Sequence, residues 1–274
     1  MKSLGIGSGL AKKSAVVLFV ALSAWWVVIA LIWDNQHADA NLLWAALYQL
    51  MAVLGVVFGL FISKSWGGFK SIVGKTIIFF CIGLLLQIFG QTVFSFYNLF
   101  LKIEIPYPSL ADLGYFLSIP FYAYATILLA KASGAGLSLK FINKKIQAIV
   151  IPLVLLIASY IVFLKGYEFD WSNPLRVFLD FGYPLGQAFY ISLALLVFVL
   201  SKDFLGGMMR PKVLIILFAL VIQYIADYNF LLQAYNETWV NGGYGDFIYL
   251  VAYFIMSIGL INLGDVFEKI KEEK

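Results

Sequence analysis

Eight long apolar runs dominate this sequence, and each is long enough to cross a lipid bilayer. A hydrocarbon core about 30 Å thick takes roughly 20 helical residues. The runs occupy residues 14–33, 42–63, 76–100, 110–130, 146–164, 177–200, 213–235 and 246–263. Only short connections separate them. We therefore expect an all-α polytopic membrane protein with eight transmembrane helices, and a single integral membrane domain over residues 1–274.

The composition agrees with this fold class. Hydrophobic residues make up 62% of the chain and charged residues only 12%, whereas soluble domains carry about 25% charged residues. The formal net charge of +4 follows from where the loops lie, so we expect no nucleic-acid partner. The lipid bilayer is the partner that the composition requires.

The basic residues are distributed unevenly between the two sets of loops. All Lys and Arg residues except Lys102, Lys165 and Arg176 fall in the tails or in the second, fourth and sixth loops. Basic loops stay in the cytoplasm. This pattern predicts cytoplasmic termini, supports an even number of spans, and favours the inner or plasma membrane of a prokaryotic cell.

Polar residues in the second half of the chain echo those in the first. The matching positions are Gln87 and Gln91 with Gln223 and Asp227, and Asp112 and Tyr115 with Asp246 and Tyr249. Four spans return the chain to the same side of the membrane, so this predicts a four-plus-four parallel internal repeat. Its parts are a first half at 1–131, a second half at 140–264 and a cytoplasmic tail at 265–274.

An aspartate precedes a tyrosine by three residues at the start of three apolar runs that lead inward. The pairs are Asp112 with Tyr115, Asp180 with Tyr183, and Asp246 with Tyr249. One interpretation is helix-end chemistry, because an Asp caps free backbone N–H groups and a Tyr suits the membrane interface. The alternative is that the three pairs surround the mouth of a shared cavity.

Deeper polar residues are the second group of candidates, because polar side chains inside a membrane need partners within the protein. These are Gln87, Gln91, Gln187, Gln223 and Asp227, which lie between the midplane and the outer face. A spacing of four residues places Gln87 and Gln91 on one face of their helix, and likewise Gln223 and Asp227 on one face of theirs. Asp227 is the most informative residue, with three possible roles: joining helices, contacting a ligand or ion, or transferring protons.

Several kinds of chemistry are excluded by what the sequence lacks. Cys81 is the only cysteine and His37 the only histidine, so we expect no metal site, no haem and no cofactor. No lysine lies within a span to form a Schiff base, and no glycine loop for nucleotide phosphates occurs. We expect no catalytic residues and favour a protein that is not an enzyme, although the sequence does not decide this.

The run from Tyr107 to Leu117, which contains Pro108-Ser109-Leu110-Ala111-Asp112-Leu113-Gly114-Tyr115, resembles a segment of multi-pass sensor input regions. In bacterial and archaeal proteins these regions precede diguanylate cyclase (GGDEF) or histidine kinase modules. Gly182-Tyr183-Pro184-Leu185-Gly186 and the helix led by Asp246 match further elements. The resemblance covers roughly residues 80–263 and implies a sensory role. Only ten residues follow Gly264, so we expect the output to come from a separate cytoplasmic signalling protein.

The leading hypothesis is a sensor-like membrane protein whose outward-facing polar cavity binds a small ligand or a proton. A small secondary transporter or permease is the alternative, and it predicts a polar path through the inner half of the bundle. A membrane enzyme or assembly factor acting on a lipid-like substrate is a third possibility, which predicts titratable groups at the outer interface.

Overall fold

The computed structural model describes residues 8–32, 38–133, 142–201 and 208–272. Within these ranges the chain is helical apart from short connections, and it forms no strand. The helices are α1 (Ser8–Val27), α2 (Ala38–Leu47), α3 (Leu50–Ser65), α4 (Ile72–Phe96), α5 (Leu110–Ala132), α6 (Ile142–Ser159), α7 (Pro174–Ser201), α8 (Met209–Tyr235) and α9 (Tyr244–Glu272).

Eight helical segments in these ranges are long and apolar enough to cross a membrane. This finding confirms the predicted number and indicates a multi-pass membrane protein. Helices α2 and α3 together form the second span, because only a turn at Tyr48 and Gln49 separates them. The Gln49 side chain donates to the Ala46 carbonyl at 2.8 Å in this turn. The sequence did not predict the break, since neither proline nor glycine marks it.

Several helices extend beyond the apolar runs that predicted them. Helix α9 continues to Glu272, past the predicted end of its span at residue 263. Its last turns contain Glu and Lys, which are good helix formers and can lie in water beyond the hydrocarbon. Turns of π-helix lengthen α1, α4 and α6 to Ile32, Leu101 and Leu164.

Six of the helices close a ring in which each packs against two neighbours. The order around the ring is α3, α4, α5, α7, α8, α9 and back to α3. Outside the ring, α1 packs mainly against α9, and α6 packs against α7. Only 17% of the first span and 6% of the fifth are buried, against 44–61% for the ring spans. Most of the surface of α1 and α6 is therefore left for lipid.

The two ends of the bundle differ in charge. We call the end that carries Asp112, Asp180 and Asp246 the acidic end, and the opposite end, with Lys64 and Arg210, the basic end. The orientation of these ends in a membrane and the internal repeat stay predictions.

The interior is mostly apolar towards the basic end. The apolar side chains at most 1% exposed there include Ile77, Phe80, Leu84, Ile216 and Leu260. Buried hydroxyl groups, such as those of Ser63 and Thr126, donate to backbone carbonyls. At the basic end itself, an ion pair between Lys12 and Asp265 joins α1 to α9. The Trp66 indole also donates to the Leu263 carbonyl at 3.0 Å, which joins the end of α3 to α9.

Helices α4 and α5 approach each other closely because glycines lie between them. A Cβ atom on Gly114 would come within 2.5 Å of the Leu86 carbonyl oxygen and 2.7 Å of the Gly90 nitrogen. Both are backbone atoms, which a side-chain rotation cannot move away. Small residues allow such backbone contact between membrane helices.

We expect Gly114→Ala to destabilise the protein by about 1–3 kcal/mol, the usual cost of overpacking a tight contact. Unfolding of the purified protein by heat or SDS measures this change. Gly9→Ala in α1 is the matched control, since nothing lies within 4 Å of a Cβ atom there. Equal stability of the two variants would contradict the close contact.

Candidate functional site

Asp227 on α8 is buried, with 7% of its surface exposed, and it accepts hydrogen bonds from three helices. On its own helix, Gln223 Nε2 donates to Oδ1 at 3.0 Å. Tyr249 on α9 donates to the same oxygen at 2.9 Å, and Tyr190 on α7 donates to Oδ2 at 3.2 Å. We call these four residues the aspartate network. They confirm the prediction that Gln223 and Asp227 share a face.

Gln87 and Gln91 on α4 form a second group, the glutamine network. Both are 5% exposed. Tyr115 on α5 donates to Gln91 Oε1 at 2.7 Å, and Tyr253 on α9 donates to Gln87 Oε1 at 3.3 Å. Two further bonds join Gln87 Nε2 to Ser118 Oγ at 2.8 Å and Gln91 Nε2 to the Ala45 carbonyl at 2.8 Å. The network therefore ties α2, α4, α5 and α9 together.

One hydrogen bond recurs in both halves of the chain. Tyr115 on α5 donates to Gln91 on α4, and Tyr249 on α9 donates to Asp227 on α8. In each case a tyrosine in the first turns of one helix donates to a side chain of the helix before it. The acceptor is a neutral amide in the first half and a carboxylate in the second.

Tyrosine rings fill the space between the two networks. Tyr48 lies 6.5 Å from Tyr249 and 6.0 Å from Tyr253, measured between ring centroids. Tyr122 and Tyr190 lie 6.2 Å apart. Beside them, a gap between α4, α5, α8 and α9 is lined by Tyr122, Tyr253, Gln223 and apolar side chains, and it is too small for a water molecule.

Asp112 caps α5, as the helix-end interpretation predicted. The Ser109 backbone N–H donates to its Oδ2 at 2.7 Å, and the Ser109 hydroxyl accepts from the Ala111 N–H at 3.2 Å, forming a capping box. Its other oxygen, Oδ1, accepts from Tyr183 on α7 at 2.8 Å. The carboxylate thus joins two ring helices as well as ending one.

Asp180 has a different role, because it lies in the second turn of α7 and accepts from two loop tyrosines. Tyr107 donates to Oδ1 at 2.8 Å and Tyr167 to Oδ2 at 2.6 Å. The bond to Asp180 raises the pKa of the Tyr167 phenol to about 12. Burial, helped by the same carboxylate, raises the pKa of Tyr107. Arg176 lies 3.8 Å from Asp180 Oδ2, with its guanidinium 5.8 Å from the Tyr107 ring centroid.

Asp246 lies in the first turn of α9 and is 3% exposed. It accepts from the Gly242 N–H at 2.7 Å, so it stabilises the turn before its helix. The Trp26 indole donates to the Gly242 carbonyl at 2.9 Å, which fixes the same turn to the first span.

The predicted candidates therefore fall into separate groups. The tyrosines of the three Asp-x-x-Tyr pairs bind residues of neighbouring helices, namely Gln91, Asp112 and Asp227. Gln187 on α7 stands apart: it is 5% exposed, and its Oε1 atom has no hydrogen-bond donor.

No family model, no curated protein and no solved structure matches this chain. The resemblance to sensor input regions stays a prediction.

The described ranges contain no group of three or more His, Cys, Asp or Glu side chains that could hold a metal ion. Cys81 is buried within α4. His37 lies outside the described residues. No cofactor was expected, and nothing in these ranges tests that expectation.

Tyr48, Tyr107 and Tyr167 were not among the predicted site residues. Tyr48 lies at the break between α2 and α3, where a continuous helix was expected. Tyr107 and Tyr167 are in loops, where helical periodicity gives no information about which side chains meet. Their only sequence signal is an aromatic residue close to a helix that carries a carboxylate.

The Tyr167 phenol is expected to titrate near pH 12, above the usual value of about 10. The bond to Asp180 favours the neutral phenol, so its stabilising contribution is complete below pH about 10 and is lost as the pH rises through about 12. In Asp180→Asn the pKa of Tyr167 is expected to fall towards about 10. Glu168→Gln, which removes a neighbouring charge, is the matched control.

Carbon-13 NMR of labelled tyrosine rings, with Tyr167→Phe assigning the signal, measures this titration. A midpoint near 10 in the unaltered protein would contradict the hydrogen bond.

Proposed function

We propose that this protein is a proton-responsive membrane sensor in which Asp227 is the titrating group. The observation that carries the proposal is a buried carboxylate held by donors from α7, α8 and α9. Neither ion pair of the described residues, Lys12 with Asp265 and Arg176 with Asp180, involves Asp227. Ionisable residues at such positions are costly and usually functional.

Size favours a proton over a larger ligand. The amide and both phenols already occupy the carboxylate oxygens, and the nearby gap is too small for water. A proton binds without displacing a side chain. It also needs no opening through the apolar side chains towards the basic end, such as Phe80 and Leu260.

The two oxygens of Asp227 are not equivalent as proton acceptors. Oδ1 faces the Gln223 amide and the Tyr249 hydroxyl, whereas Oδ2 faces only the Tyr190 hydroxyl, at the longer distance of 3.2 Å. An amide N–H₂ group cannot accept a hydrogen bond, but a phenol oxygen can. The proton therefore goes to Oδ2, and the Tyr190 hydroxyl must then accept where it donated before.

This reversal changes the contact between α7 and α8 and leaves α9 bound to Oδ1. Other titratable side chains also lie around Asp227. They are Tyr115 and Tyr122 on α5, Tyr249 and Tyr253 on α9 and Tyr228 on α8. Asp246 lies one turn before Tyr249. The nearby groups that can change charge are the carboxyls of Asp227 and Asp246. We assign the response to Asp227, because donors from three helices hold its carboxyl group.

The basic loops support cytoplasmic termini and an acidic end that faces outside a prokaryotic cell membrane. The change then reaches the basic ends of α7 and α8, where a separate cytoplasmic signalling protein detects it. The recurring tyrosine bond and the closed ring support the four-plus-four repeat. The motif around Asp112 supports a sensory role.

Spin labels at Phe198→Cys on α7 and Arg210→Cys on α8, both exposed positions towards the basic end, report this movement. We expect their separation, measured by double electron–electron resonance, to change with pH in the labelled protein. Asp227→Asn removes the titrating group, so the separation is expected to stay constant. Asp170→Asn, which changes a loop carboxylate bonded only to Ser172, is expected to respond normally.

An unchanged pH response in Asp227→Asn would contradict the proposal. If that variant does not fold, Tyr190→Phe keeps the carboxylate and removes the donor to Oδ2, and an unshifted midpoint would count equally against it. Proton-coupled solute uptake by the reconstituted protein would show a transporter instead.

A lipid-like ligand is a second candidate, favoured by a groove of about 430 Å³ at the acidic end of α7. Phe169 and Phe181 line the groove, and the Tyr167 ring contacts both of them. Tyr167 in turn donates to Asp180, so a bound amphiphile would adjoin this carboxylate. Saturable binding of a lipid analogue that Phe181→Ala abolishes would establish this role.

A further inference from the structure

One face of α7 carries four polar side chains between the acidic end and Asp227. They are Asp180, Tyr183, Gln187 and Tyr190, spaced three, four and three residues apart. Such spacing places them in one row on a helix, which rises about 15 Å over ten residues. We call them the α7 row. Tyr183, Gln187 and Tyr190 are at most 8% exposed.

The hydroxyl groups of the two tyrosines in the row are bonded to two different carboxylates, one at the acidic end and one deeper in the bundle. Tyr183 donates to Asp112 Oδ1 at 2.8 Å, at the acidic end. Tyr190 donates to Asp227 Oδ2 at 3.2 Å. Long side chains in a helix lie over the preceding turn, so the Tyr190 ring extends towards Gln187. Gln187 itself lies between Tyr183 and Tyr190 along the helix.

Gln187 is the member of the row whose acceptor has no partner. Its Oε1 atom is buried without a donor. An unsatisfied buried acceptor costs about 1–3 kcal/mol, and buried water usually supplies the missing hydrogen bond. Within a membrane bundle the donor must come from protein or from trapped water.

We infer that Gln187 Oε1 holds water between Tyr183 and Tyr190, and that the α7 row conducts protons from Asp112 to Asp227. This inference rests on the proposed role of Asp227. Gln187 is then a positioning residue, since it orients the water and takes no proton itself.

The transfer balances when each phenol accepts one proton and releases one. Asp112, protonated from the acidic end, gives its proton to the Tyr183 oxygen, and Tyr183 releases its hydroxyl proton to the water. Tyr183 and Tyr190 are seven residues apart, about 10 Å along the helix, so a short chain of waters held at Gln187 passes a proton to the Tyr190 oxygen. The original Tyr190 proton moves to Asp227 Oδ2. One proton has moved from one carboxyl to the other, and every intermediate group regains its starting form.

Charged and titratable groups around Asp112 belong to four elements, namely α5, α7 and the loop before each of them. Asp112 is bonded to Ser109 on the loop before α5 and to Tyr183 on α7. Asp112 is thus bonded directly to Tyr183 of the row. Asp180, at the start of the row, is instead bonded to Tyr107 and Tyr167 and paired with Arg176.

The rate at which Asp227 takes up a proton tests the row. After a light-triggered pH jump, time-resolved infrared spectroscopy follows the carboxyl band that Asp227→Asn removes. We expect Gln187→Leu to slow its appearance roughly 100-fold, the lower end of what a positioned proton-transfer group contributes. The equilibrium midpoint stays unchanged.

Gln147→Leu is the matched control, because Gln147 on α6 also has a buried Oε1 without a donor but lies off the row. It is expected to keep the original rate. Equal rates in the two leucine variants would overturn the inference while leaving the proposed function intact. Absence of a titrating band in the unaltered protein would instead refute the proposed function.

If Gln187→Leu does not fold, Tyr183→Phe breaks the row at its other end and keeps the ring. An unaltered rate in Tyr183→Phe would also overturn the inference.

Discussion

Hydrogen bonding inside an apolar bundle determines how the helices of this protein meet. A polar side chain surrounded by lipid and hydrocarbon side chains must find its partners within the protein. Asp227 finds them on α7, α8 and α9, and Gln87 and Gln91 find theirs on α2, α5 and α9. Together the two networks include every ring helix except α3, so the closure of the ring and the satisfaction of these groups depend on each other.

Much of the architecture could be predicted because it depends on local properties of the sequence. Span number follows from apolar length, and the shared face of Gln223 and Asp227 follows from a spacing of four. Which residues of the other helices contact these faces could not be predicted in the same way. That Tyr183 binds Asp112 depends on α7 packing beside α5, which follows from ring closure and not from any local pattern. The turn at Tyr48 carries no residue that breaks helices.

The two halves use one geometry for different purposes. Where Tyr115 meets Gln91, both partners are neutral, and the bond can only hold α4 to α5. Where Tyr249 meets Asp227, the same arrangement contains a group that changes charge. A contact between neutral groups and one that contains a carboxyl group therefore differ by a single acceptor, and the carboxyl copy is the one that Tyr190 also binds.

Pro184 lies inside α7, between Tyr183 and Gln187. Having no N–H group, it cannot complete the helical hydrogen bond to the carbonyl of Asp180, while its own carbonyl accepts from Tyr228 at 3.1 Å. One backbone hydrogen bond is therefore missing from α7 at this level. A bend between the segment with the acidic-end contacts and the segment with Tyr190 breaks no further backbone bond, so bending costs least between the membrane surface and the buried carboxylate.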